Sequence, residues 1–165
     1  MKSFKKLLCL AASLFVLAGC NSSNNSSDDA SVESSETTTG TDQDLIDVAC
    51  AISTALFGEE YYVELTADED GFSGYYIGVT FGDLYNDADV ISSCVSVVPE
   101  GFSTYYDTYT GEFTDGTAFT AIDLANSNQT IFVDITAYVD NNESVAEFYI
   151  LDADNFDILV GLDLN

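Results

Sequence analysis

Hydrophobic and polar positions change period several times along this chain, and each change marks an element. From about Asp44 to Phe57, Leu45, Ala49, Ile52 and Leu56 recur at helical spacing, Asp44 and Asp47 favour a first turn, and Gly58 stops the run. Two period-two runs follow. Tyr61, Val63 and Leu65 alternate with Tyr62, Glu64 and Thr66, and beyond Asp68-Glu69-Asp70-Gly71 a second run puts Tyr75, Ile77, Val79 and Phe81 on one face, which predicts a hairpin. Residues 83–98 carry both periods. Leu84, Ala88, Ile91, Val95 and Val98 fit a helix that ends before Pro99, while Val95-Ser96-Val97 suggests a strand, and the longer pattern favours the helix.

Past Gly101 the period is two throughout: 102–108, 117–124 after Asp115-Gly116, 130–139 with Ile131, Val133, Ile135 and Val139 facing one way, 145–151, and a last apolar run, 158–164. The order is α-β-β-α-β-β-β-β-β. Strands joined by short turns, with helices set apart, predict an α+β fold: an antiparallel sheet of about six to seven strands with one or two helices packed on one face.

Ahead of this domain the composition shifts twice. Lys2, Lys5 and Lys6 precede an apolar run from Leu7 to Leu17 of about eleven residues, which reads as an export signal and is shorter than the roughly 20 residues a membrane-spanning helix needs. Leu17-Ala18-Gly19-Cys20 resembles the lipobox of bacterial lipoproteins. The resemblance implies cleavage after residue 19, lipid on Cys20, and a protein held on the outer side of a cell membrane or in the outer envelope, with more than one acyl chain for stable anchoring. Residues 20–43 then carry Ser, Asn, Thr and acids with little apolar content, and read as a disordered tether of roughly 25 Å r.m.s. reach. Residues 44–165 are expected to form a single domain.

Charge narrows the function classes. The chain has 29 acidic residues, three Lys+Arg and no His. All three cations are the lysines before Cys20, so the remainder has no basic side chain at all. Nucleic acid is thereby excluded as a partner, since no Lys or Arg can meet phosphate. His-dependent catalysis and His metal ligation are excluded as well. No phosphate-binding glycine loop is present and no cofactor is expected.

Four cysteines reduce to two in the domain, Cys50 and Cys94, because Cys9 falls in the signal and Cys20 in the lipobox. In an exported chain they are candidates for one disulfide, with two buried thiols as the alternative. Three further groups carry candidate chemistry. Acidic loops at 68–70 and at Asp152, Asp154 and Asp157 offer hard oxygen ligands to calcium or other weakly held divalent cations, although Phe72 and Phe156 break the EF-hand pattern. The pairs Tyr61-Tyr62, Tyr75-Tyr76 and Tyr105-Tyr106 place one ring on each face of a strand, so Tyr62, Tyr76 and Tyr106 are expected opposite the apolar stripes, as a surface for a protein or carbohydrate ligand. Carboxylate pairs suited to glycoside hydrolysis cannot be picked out of 29 acids. The expected function is therefore a lipid-anchored extracytoplasmic binding module rather than an enzyme. A calcium-dependent structural envelope protein is the alternative, and a carboxylate hydrolase a distant one.

Overall fold

The computed structural model describes residues 41–163. The expected signal segment 1–19, lipidation at Cys20 and nearly all of the tether lie outside those residues. Helix α1 (Asp42–Phe57) starts two residues before its expected position, because Thr41 and Asp44 form a reciprocal capping box. The Asp44 carboxylate accepts the Thr41 N–H at 3.0 Å, and hydrogen bonds from Thr41 hold its pKa below the usual carboxylate range. Gly58, with φ +78°, supplies the left-handed stop.

The chain continues through β1 (Val63–Leu65), a single helical turn α2 (Ala67–Asp70), β2 (Gly74–Thr80), α3 (Asp87–Val95), β3 (Phe102–Glu112), β4 (Ala118–Asn126), β5 (Ile131–Asp140), β6 (Glu143–Asp152) and α4 (Ala153–Asp163). Six antiparallel strands form one sheet in the order β1-β2-β6-β5-β4-β3, which makes the fold α+β. The β5–β6 hairpin turns on Asn141 and Asn142, at φ +50° and +67°, which is the left-handed pair that a two-residue turn requires.

Two expectations need correction. The last apolar run is helix α4, not a seventh strand. Asp152 Oδ1 accepts the Asn155 N–H at 2.9 Å, an N-cap bond, and Phe156 and Leu159 then fall three apart on one buried face. Helix α3 begins only at Asp87, where Asn86 caps it through the Ala88 N–H, because residues 83–85 are bonded to β6 instead. There Tyr85 N–H donates to Ser144 Oγ at 2.9 Å, and Leu84, expected in the helical stripe, is exposed.

Buried side chains divide into two clusters by strand alternation. Val133, Ile135, Phe148 and Ile150 point toward α1 and α3, joining Leu45, Ile52, Val90, Ile91 and Cys94. Phe132 and Leu151, on the opposite face of the same strands, join Phe156 and Leu159 of α4, with Leu65 and Phe72. Gly74 makes the β2–β6 seam tight: a Cβ there would lie 2.5 Å from Leu151 Cδ2 and 2.6 Å from the Ile150 carbonyl oxygen.

Candidate binding face on the α4 side of the sheet

Residues directly paired across antiparallel strands point to the same face, so the register alone assembles a row across five strands: Tyr76, Tyr149, Asp134, Asp123 and Tyr106. This row lies next to the apolar row of Leu151, Phe132 and Ala125 that α4 covers. One step further along the strands stand Glu147 and Thr136.

Tyrosines converge on Glu147. Its Oε1 accepts the hydroxyls of Tyr138 at 2.9 Å and Tyr76 at 3.1 Å, and its Oε2 accepts that of Tyr149 at 3.2 Å. Burial first, and the Glu147 charge second, push the phenols of Tyr138 and Tyr149 well above their ordinary value, so both stay protonated and keep donating. Gly78 makes room for this arrangement. It stands opposite Glu147 in the register, and a Cβ there would meet Tyr76 Oη at 2.6 Å. Beside the cluster Asp123 and Asp134 are direct cross-strand neighbours on one face, 1% and 4% exposed. Thr136 Oγ1 donates to Asp134 Oδ1 at 3.2 Å.

At the β3 edge the strand pattern breaks. The β3–β4 register shifts between Thr104 and Tyr106 and again between Tyr106 and Tyr109. A bulge adds a residue to one strand and re-aims its side chains. As a result Tyr105 and Tyr106, which strict alternation would send to opposite faces, both meet Phe156 of α4. Tyr105 is edge-on to it at 5.8 Å and Tyr106 is nearly parallel at 6.4 Å, 24° between planes. Phe156 in turn stacks on Phe132 at 4.3 Å and 8°. The two buried phenylalanines are a rigid base for two tyrosines that are 38% and 48% exposed. Desolvation, then Tyr106 and the Asp157 carboxylate, keep the Tyr105 phenol above its ordinary value and hence protonated.

The expected ligand-binding tyrosines are therefore separated. Tyr62 packs edge-on against Tyr75 at 5.4 Å on the α1 side, because Val63, not Tyr62, pairs with Tyr76. Tyr76 is on the α4 face but half-buried and bonded to Glu147. Tyr106 is exposed as expected, with Tyr105 beside it at 4.6 Å.

Cys50 and Cys94 are both buried and no disulfide joins them. Helix α1 lies over β2 and β6, whereas α3 lies over β4, β5 and β6, and Cys94 serves as a small apolar group in the core between α3 and the sheet. Burial pushes the Cys94 thiol up to about 12, which leaves it without thiolate character.

Asp152, proposed as a cation ligand, spends Oδ1 on capping α4, while Asp154 and Asp157 are exposed on that helix. Among the described residues no three His, Cys, Asp or Glu side chains gather closely enough to hold a metal ion. Asp152 also lines a shallow cavity of about 180 Å³ with Asp42, Glu64 and Tyr75, where Tyr75 Oη donates to Asp42 Oδ1 at 2.7 Å.

Sequence reasoning missed Asp123, Asp134 and Glu147. The signal was present for the first two, each a lone acid inside an apolar strand run, Ala121–Ala125 and Ile131–Ile135. Among the described residues no helix is long and apolar enough to cross a membrane. Comparison with protein-family models, with curated proteins and with solved structures finds no match for this chain.

Proposed function

We propose that this chain is a lipid-anchored extracytoplasmic binding module whose ligand is a neutral carbohydrate held at Tyr105 and Tyr106. The observation that carries the reading is the β3 bulge, which delivers two adjacent tyrosines to one face over the Phe132–Phe156 stack. Flat rings on a rigid base bury the apolar faces of sugar rings at low entropic cost, and their hydroxyls, with the nearby Asp157 side chain, offer the hydrogen bonds that sugar hydroxyls need. A surface without one basic side chain disfavours polyanionic ligands and leaves neutral ones unopposed. Anchoring through Cys20 would hold this face outside the cell, and the mass of the mature N-terminus tests that part separately.

The test of binding is retardation of the protein in native gels containing soluble neutral polysaccharides, followed by titration calorimetry on any that retard it. The Tyr105→Ala/Tyr106→Ala variant should lose retardation while keeping the far-ultraviolet spectrum of the parent. Equal retardation of the two proteins would refute the assignment of the site, and no retardation by any neutral polysaccharide would refute the ligand class.

A further inference from the structure

Two carboxylates cannot hydrogen-bond to each other unless one carries a proton, since the ionised group only accepts. Asp123 and Asp134 stand directly opposite each other in the β4–β5 register, on one face at the centre of the sheet, and both are almost fully shielded from solvent, so a shared proton is what lets two acids sit side by side there. Asp123 Oδ1 is buried with no hydrogen-bond partner, so no donor is in place at that oxygen to hold a second negative charge. From these observations we infer that Asp123 and Asp134 form a one-proton latch across the β4–β5 seam, closed while the pair keeps its proton and opened by alkali.

The surroundings reinforce this at every side. From β3, Tyr106 faces Asp123, with Tyr105 and Asp107 next to it. Tyr149 of β6 faces Asp134, and Glu147 stands one step along the same face. Strand β5 adds Thr136 and Tyr138, β2 adds Tyr76 beside Tyr149, and α4 brings Phe156 and Asp157 over the Tyr105–Tyr106 end. All the titratable neighbours are phenols or acids. No Lys, Arg or His exists beyond residue 6 to neutralise the pair, so nothing but a proton can balance it from within the chain.

Burial raises the pKa of Asp123 above its unfolded value, and this gives the sign of the effect. An acid whose folded value is raised binds more protons folded than unfolded, so its contribution to stability is fully present below the unfolded value, near ~4, and is lost as pH rises toward the folded value. One proton corresponds to as much as about tenfold per pH unit in the unfolding constant within that window.

The experiment compares the pH dependence of urea unfolding in the wild type, in Asp123→Asn, whose amide donates permanently where the shared proton did, and in Asp68→Asn, which removes one exposed charge. Relative to Asp123→Asn, the wild-type unfolding constant should climb by up to about tenfold per pH unit above pH ~4, while Asp68→Asn should run parallel to the wild type. Isotope-edited infrared spectra of the wild type read the proton directly, so the inference stays testable if Asp123→Asn fails to fold. A protonated-carboxyl band at neutral pH that disappears in alkali, together with faster exchange of the β4–β5 amides after correction for intrinsic rates, is the expected result. Parallel pH profiles for Asp123→Asn and wild type, or no protonated carboxyl at neutral pH, would overturn it.

Discussion

Replacing Phe156 by Ala removes the contact on which the α4 side of the sheet depends. The ring is 2% exposed, stacks flat on Phe132 and touches both Tyr105 and Tyr106, so its loss opens a cavity between α4 and the sheet. Transfer of the ring to water accounts for about 1.5–3 kcal/mol. The cavity left behind raises the total to about 3–5 kcal/mol, a large share of the 5–15 kcal/mol typical of a domain. With a urea slope near ~1.5 kcal/mol/M, the midpoint should fall by about 2–3 M. The chain has no Trp, so near-ultraviolet dichroism reports the Tyr and Phe rings without interference, and the aromatic signal should shrink even in the folded baseline as Tyr105 and Tyr106 lose their base. A midpoint shift below ~0.5 M with an unchanged aromatic signal would show that α4 is peripheral and that the tyrosines need no support from it.

Gly74→Ala forces a Cβ against the Ile150 carbonyl, a backbone atom that cannot swing aside, so β2 must separate from β6 at a cost of about 1–3 kcal/mol or more, read as lowered urea midpoint and early exchange of the β1–β2 amides. Gly78→Ala meets only the far end of Tyr76, so the smaller loss of one hydrogen bond to Glu147, about 0.5–1.5 kcal/mol, is expected, and equal effects at the two glycines would contradict the geometry. Cys94 should resist iodoacetamide at pH 8 in the folded protein and react in denaturant, and rapid native labelling would place it outside the core.

Much of the fold was legible in the sequence because its elements obey simple periods. The alternation in 131–137 and 144–150 needs two faces of different chemistry, and the structure has them. Misreadings arose where a local device overrode the period. The final run has enough β-branched and aliphatic residues for a strand, but the Asp152 cap and the three-residue spacing of Phe156 and Leu159 make it a helix. The Tyr105–Tyr106 pair was expected to divide between faces, and a bulge, which has no mark in sequence, put both on one. Tyr62 was assigned to the wrong face because the direction of β1 depends on its pairing, with Leu65 opposite Gly74, and not on its own alternation. Cys50 and Cys94 were legible as a pair in number only, since spacing says nothing about which strands lie beneath their two helices.

Whether ligand meets this protein at the Tyr105–Tyr106 face is read by titrating ¹³C-Tyr/Phe-labelled protein with a neutral oligosaccharide, followed by nuclear magnetic resonance. Shifts should concentrate on Tyr105, Tyr106 and the Phe132–Phe156 stack beneath them, with Tyr62, Tyr75 and Phe57 on the α1 side unmoved. Saturable shifts at Tyr62, Tyr61 and Phe57 with the α4 face silent would place the ligand on the other side of the sheet.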